Sequence, residues 1–222
     1  MIHLFVSTYT DKDSARNEEL RECLRRNREN PHIKKVHTRE SKEKLTYAEF
    51  FLWVNQTCRK GEVGIVSNSD IYFDETVSLT QGIQSNQCYA LSRWDHWKDY
   101  DEDWLRRNPV TLVSIPKGSQ DSWVFRTPIR PIADIRNSCR HRDGKPYFVK
   151  GGGFPLGVPG CDRRIAFVLK ESGYEVINPC QSIITHHLHA QPSRTFGKEC
   201  VVPPYFFVPP CRLNAVRNVR KV

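Results

Sequence analysis

The chain has 222 residues, 38% of them hydrophobic and 11% aromatic, which is enough for one sizeable core and excludes a disordered protein despite a mean hydropathy of -0.59. A formal net charge of +9 invites an anionic partner, yet Arg21, Arg25, Arg26 and Arg28 alternate with Glu18, Glu19, Glu22 and Glu29 as on a solvated helix face, and only the tail Arg212, Arg217, Arg220, Lys221 is one-signed. Nucleic-acid binding is therefore disfavoured, and without an uninterrupted apolar run of ~18 residues no membrane span is expected.

Eight cysteines (Cys23, Cys58, Cys88, Cys139, Cys161, Cys180, Cys200 and Cys211) form no C-x-x-C pair. With no secretory apolar segment after Met1, they read as buried or free thiols of a reducing compartment, and a soluble, cytoplasmic protein is expected.

Residues 2–6, Ile-His-Leu-Phe-Val, predict a strand buried on both faces that opens into the polar loop 7–11. Asp13 or Ser14 can cap a helix through about Asn30, with Leu20, Cys23 and Leu24 on its apolar stripe, and Pro31 ends it. A short strand over 33–37, a charged loop over 38–44 and a helix over 46–59 burying Phe50, Phe51, Trp53 and Val54 come next. The run Gly64-Ile65-Val66-Ser67 predicts a buried strand that breaks into Asn68-Ser69-Asp70, followed by a short helix over 75–84. Strand, helix, strand, helix and strand in succession imply a parallel sheet with helical crossovers, and hence a single α/β domain.

Further strands are predicted over 87–94 and 119–125, separated by a charged and aromatic excursion over 95–118. Residues 126–150 read as loop with one short element near 132–135. The Gly-rich stretch 151–160 reads as a mobile approach to a helix over 161–172, and residues 175–178 and 182–189 are extended. The segment Val201 to Pro210 carries Pro203, Pro204, Pro209 and Pro210 and is expected to lie over the surface, making residues 1–200 the domain and 201–222 a tail or linker to further domains.

The abrupt change from apolar residues to Asn68 and Asp70 places oxygen donors at a strand end, where they suit a hard divalent cation holding a nucleotide's phosphates; alternatively Asp70 and Asp74 cap the following turn. Strand alternation puts Ile184 and Leu188 toward a core and Thr185, His187 and His189 on the other face, where the imidazoles could join Asp70 around a cation or lie exposed on an edge. No cysteine has finger or ribbon spacing, so zinc is not expected. The 151–160 stretch lacks the Gly-Lys-Ser/Thr ending of a Walker loop, which argues against nucleotide triphosphate hydrolysis. Asp162, at a helix start, is either a general base or an N-cap; Asp121 is the second carboxylate candidate.

The segments 67–74 (Ser-Asn-Ser-Asp-Ile-Tyr-Phe-Asp), 89–95 (Tyr-Ala-Leu-Ser-Arg-Trp-Asp), 119–123 (Ser-Gln-Asp-Ser-Trp) and 159–166 (Pro-Gly-Cys-Asp-Arg-Arg-Ile-Ala), with Asn178-Pro179 and His187-Leu188-His189, resemble in order and spacing a GT-A-type glycosyltransferase family of bacteria and large algal viruses. The resemblance runs from Phe5 to about Phe196. It implies a GT-A-like, Rossmann-like α/β domain with a mostly parallel sheet, a nucleotide-sugar donor linked to UDP, Mn2+ or Mg2+, and a glycan or glycoprotein acceptor. It places Asp70 with His187 and His189 at the metal, and Asn68, Thr8, Tyr9, Arg39, Arg93 and Asp95 at the nucleotide-sugar. Asp121 and Trp123 fall on the acceptor side and Asp162 at the general base. Asn68 stands where the usual motif has its first carboxylate. Direct attack from the opposite face gives inversion, whereas retention needs another geometry. A non-catalytic nucleotide- or carbohydrate-binding module is the alternative, and an RNA-binding domain a further one.

Overall fold

The computed structural model describes residues 1–97, 119–189 and 198–213, with the side chains of His96, Trp97 and His189 outside that description. Strand β1 (Ile2–Thr8) is an inner strand of a six-stranded sheet, next to one edge, and its apolar residues serve both faces: Ile2, Leu4 and Val6 join one core cluster and Phe5 the other. It pairs in parallel with β2 (Ile33–Glu40) on one side and β3 (Val63–Ser67) on the other. Beyond β3 come β7 (Gln120–Arg126), β5 (Gln87–Ser92) and the edge strand β10 (Glu175–Ile177). β7 is antiparallel to both neighbours, so every other strand of the sheet runs in one direction.

Helix α1 (Ser14–Glu29) is capped by the Asp13 side chain, which accepts from Ala15 N at 2.9 Å, and α2 (Tyr47–Thr57) opens on a capping box between Thr46 and Glu49. α1 covers one face of the sheet, where β4 (Ile71–Phe73) and a 3-10 turn (Glu75–Gly82) also pack. α2 and α3 (Cys161–Glu171) cover the other, around Phe5, Trp123 and Phe125. A small second sheet has the order β4–β11–β6, from β11 (Thr185–His189) and β6 (Trp94–Trp97), and stands at the end of the main sheet where β3 and β5 finish. A third joins β8 (Arg136–Arg140), β9 (Pro146–Lys150) and β12 (Cys200–Val201).

The expected α/β class and the first five elements hold, with β2 running to Glu40 rather than stopping at His37. Three expectations need correction. Residues 136–150 form the β8–β9 hairpin instead of loop, while 132–135 carry no regular element. The 151–160 stretch is pinned, not free: Phe154, Leu156 and Val158 are buried at alternate positions, and the carbonyls of Gly152 and Phe154 accept the first amides of α2 at 2.9 and 3.3 Å. The proline-rich segment belongs to the fold over 201–213, where Val201 and Val208 are core residues and Phe206 N donates to Arg163 O at 3.0 Å. Most of the excursion over 95–118, and Arg217, Arg220 and Lys221, lie outside the described residues. All eight cysteines are unpaired, and among the described residues no helix is long and apolar enough to cross a membrane.

Candidate functional site

Because β7 runs against its neighbours, its first residues lie at the same edge as the last residues of β3 and β5, which brings together three segments far apart in sequence. The β5–β7 register shifts between Leu91, opposite Ser122, and Ser92, opposite Gln120, leaving Asp121 as the extra residue of a bulge. Bulges at sheet ends re-aim side chains, and here Asp121 turns to its neighbours' loops. Its carboxylate accepts from Asn68 Nδ2 at 2.6 Å and from Arg93 Nη1 at 3.1 Å to each oxygen.

The small second sheet extends this network. In β11 His187 stands opposite Ile71 on one side and Asp95 on the other, so the imidazole lies between the carboxylates of Asp70 and Asp95. Nε2 is 3.1 Å from Asp70 Oδ2 and Nδ1 is 2.7 Å from Asp95 Oδ1, which also accepts from Arg93 Nε at 2.9 Å. Burial alone would lower the His187 pKa, but Asp70 and Asp95 outweigh it and raise it above the ordinary value. Arg93 is likewise held firmly charged, since Asp121 and Asp95 more than offset its burial.

Asp70 is not an exposed edge carboxylate; it is 3% exposed and its Oδ2 accepts from Arg16 Nη2 at 2.7 Å. Arg16 also pairs with Glu19 and donates to Tyr9 Oη at 3.2 Å. Neither Arg16 nor Glu19 is among the residues expected at the site, and the charge pattern places Glu19 on the solvated face of α1. Instead both sit on the buried stripe with Leu20, Cys23 and Asn27, whereas Arg25 and Arg26 do pair with Glu22 on the exposed face. Asn27 fixes the neighbouring backbone by donating to Ile71 O at 2.8 Å and accepting from Phe73 N at 3.0 Å. Asp70 is therefore held on a rigid segment.

Oxygen and imidazole donors from Glu19, Asp70 and His187, all buried, lie within 4.8 Å of one another. Such an oxygen-rich set suits Mn2+ or Mg2+ in donor chemistry, with Arg16 already supplying positive charge to its carboxylates. Around this set the carboxylates of Glu19, Asp70, Asp95 and Asp121 face Arg16, Arg93 and His187.

Asp162 flanks this network at the second position of α3, where its Oδ2 accepts from Gln120 N at 3.3 Å. Burial, reinforced by Asp121, pushes its pKa up to about 6 against the opposing pull of the local backbone amides. The N-cap of α3 is Gly160, not Asp162. Its φ of 81° suits glycine, and a Cβ there would meet Val201 O at 2.5 Å. The pinned loop passes close to the network as well: a Cβ on Gly157 would lie 3.6 Å from Asn68 Oδ1.

Of the remaining expected residues, Thr8 and Tyr9 line a small cleft with Ser69, Leu20, Leu24 and Asn27 beside the network. Arg39 is not brought to it, since its guanidinium lies 4.7 Å over the Trp53 ring of α2. Trp123, expected on the acceptor side, is wholly buried and packs edge-on against Tyr47 with ring centroids 5.8 Å apart, so it is a core residue. In β11 the burial is the reverse of that expected: Thr185 and His187 are buried, while Ile184 and Leu188 are only partly so. His186 turns away to Asp74 at 3.0 Å, and the His189 side chain lies outside the described residues. No protein-family model matches the chain, and no curated protein matches it.

Proposed function

We propose that the chain is a glycosyltransferase that moves a sugar from a nucleotide-sugar donor, UDP-linked, to a hydroxyl of a glycan or glycoprotein acceptor, with Asp162 as general base. The observation that carries this reading is the placement of Asp162, a carboxylate with a pKa of about 6, beside but outside a hydrogen-bonded network of carboxylates, guanidinium and imidazole at the strand ends. Ligands of open α/β sheets bind in the crevice outside the carboxyl ends of their strands, and a base is most effective when its pKa lies near the working pH.

In this reading Asp162 takes the proton of the acceptor hydroxyl as that oxygen attacks the anomeric carbon. Arg93 presents positive charge toward the leaving diphosphate, and Asp121, occupied by Arg93 and Asn68, positions those groups instead of acting as a second base. Asp70, His187 and Glu19 are the residues that would hold Mn2+ or Mg2+, and the ion, when bound, supplies Lewis-acid stabilisation of the departing phosphate. Thr8, Tyr9 and Ser69 offer the surface for the nucleoside. Calorimetry with UDP and Mn2+, followed by hydrolysis and transfer assays across UDP-sugars, is the test. Cation-dependent UDP binding with sugar release supports the proposal; binding without turnover makes the chain a nucleotide-binding module; no UDP binding with or without Mn2+ overturns it.

A further inference from the structure

At the opposite end of the central sheet a second group of ligand-type side chains comes together, and nothing in the proposed transfer uses it. His3 enters from the start of β1, Cys58 from the C-cap of α2, and Glu62 from the residue before β3. One ligand atom from each lies within 4.8 Å of the others. His3 and Glu62 are only 6% and 7% exposed, and both His3 Nε2 and Glu62 Oε1 are shut off from solvent without a hydrogen-bond partner among the described residues. His3 Nε2 lies 3.4 Å from Glu62 Oε2, and the nearest cation to Glu62 Oε1 is the half-exposed Lys34 at 3.8 Å. Native proteins rarely leave such atoms unmet.

The surroundings hold these groups in place. A turn closes from Glu62 N to Arg59 O at 3.1 Å, with Gly61 at φ 86°, and Glu62 Oε2 accepts from Arg59 N at 2.8 Å. Thr127 Oγ1 donates to Glu62 O at 3.0 Å and Gly61 N to Thr127 O at 2.8 Å, so the turn is braced by the residue that follows β7. On the imidazole, Nδ1 lies 3.0 Å from His37 Nε2, and His37 is itself stacked on Phe5 with centroids 4.6 Å apart. When His3 donates from Nδ1, its Nε2 carries no proton and presents a lone pair toward Cys58 and Glu62. A ligating histidine almost always engages its other ring nitrogen in this way.

We propose that His3, Cys58 and Glu62 form a zinc site at the N-terminal end of the sheet, distinct from the Glu19–Asp70–His187 set. One nitrogen, one sulfur and one carboxylate oxygen match the ligand types zinc takes, with the fourth position left to water. The thiolate separates this site from an oxygen-seeking cation. The reading of cysteine spacing that argued against zinc covered only cysteine-rich patterns, and a site with a single cysteine escapes it. The ion ties β1 to the α2–β3 turn and acts on stability.

The test uses the full chain without an added histidine tag and Co2+ as the spectroscopic probe, with Zn2+ as competitor. Wild type is expected to bind about one Co2+ with a thiolate-to-cobalt charge-transfer band and intense visible bands of tetrahedral type, all lost on adding equimolar Zn2+. Zn2+ at about 100 times its dissociation constant is expected to raise the thermal midpoint by roughly 5–10 °C, reversed by chelator. Cys58→Ser removes the charge-transfer band and most of the shift, and His37→Phe weakens binding by roughly 10-fold or more through loss of the hydrogen bond that orients His3. No band in wild type, or an undiminished band in Cys58→Ser, overturns the proposal. Should Cys58→Ser fail to fold, the zinc shift of Glu62→Gln decides: loss supports the site and retention removes it. No readout involves a sugar nucleotide, so the result is independent of the transfer reaction.

Discussion

Strand β1 links two clusters of metal-capable side chains that differ in how their charge is met. At its C-terminal end Glu19, Asp70 and His187 are buried, but Arg16 pairs with both carboxylates and the cluster continues through Asp95, Arg93 and Asp121. At its N-terminal end no guanidinium pairs with His3, Cys58 or Glu62 among the described residues, and His3 Nε2 and Glu62 Oε1 lack a hydrogen bond there. The first cluster is an electrostatic frame that a cation enters in competition with an arginine. In the second, the charged groups facing Glu62 among the described residues are His3 and the half-exposed Lys34. Proximity of ligand-type residues is thus the weaker criterion, and compensation of their charge is the stronger one.

Removing the compensating charge breaks the contrast most sharply. Arg16→Met leaves Glu19 and Asp70 buried without their guanidinium, and loss of one partner from a buried ion pair costs about 3–5 kcal/mol. Urea unfolding should show this loss, and Mn2+ should restore part of it by taking the vacated place. Stability unaffected by Mn2+ in this variant would remove Glu19 and Asp70 from cation binding.

Asp162 lies just outside the frame, so its substitution should separate chemistry from charge balance. Asp162→Asn is expected to lower transfer ~100-fold, the usual share of general-base catalysis, with donor affinity unchanged. The same change should raise stability at neutral pH. The folded carboxyl titrates near 6 and an unfolded one near 3.9. Between those values the folded chain holds a proton that the unfolded chain has released, so stability falls as pH rises through that window. Asparagine removes that loss, worth about 1–3 kcal/mol above pH 6. Parallel unfolding curves at pH 4 and pH 7.5 check the sign.

At the same helix end Gly160→Ala is expected to act through stability. The left-handed backbone and the predicted clash with Val201 O should cost about 1–3 kcal/mol. Thermal melts measure it, and any loss of transfer beyond the loss of stability reports displacement of Asp162.

How much of this was legible in the sequence follows from how local each signal is. The apolar run at β1, the break after Ser67 and the stop at Pro31 depend on neighbouring residues, and they placed the early strands and helices well. Alternation separated His187 from His186, but it left open whether His187 meets Asp70 or lies exposed, and it assigned the buried face to Ile184 and Leu188 instead of Thr185 and His187. Arg16 was hidden because a charged residue in the first turn of a helix ordinarily faces water; the signal available was that Arg16 and Glu19 share the stripe of Leu20 and Cys23. Trp123 was misassigned because an aromatic two positions after Asp121 is read equally well as sugar platform or core, and only the packing of α2 and α3 decides it. The burial of Val201 and Val208 depends on partners distant in sequence, which composition rich in Pro and Gly cannot disclose, whereas the β8–β9 hairpin pairs near neighbours and its signal was the turn at Asp143-Gly144, where Gly144 has φ 92°.

The least drastic probe of the frame is the proton on His187, which titrates without any change of sequence. Asp70 and Asp95 raise its folded pKa above the ordinary value in spite of burial, so the charged form is favoured by folding. The stabilisation is complete below the unfolded histidine value of about 6.5 and is lost as pH rises through the higher folded pKa. Wild-type stability should therefore decline on the alkaline side of pH 6.5, a direction opposite to that given by carboxylates whose pKa folding depresses. Asp95→Asn keeps an oxygen for His187 Nδ1 while removing one of the flanking charges, so it should shrink that decline and shift the imidazole titration downward, as followed by NMR of the ring protons. The direction also separates the two clusters. His3 is lowered by burial, against the pull of Glu62, so its ring becomes protonated only at lower pH, and an unchanged titration of His187 in Asp95→Asn would show that Asp70 alone sustains the frame.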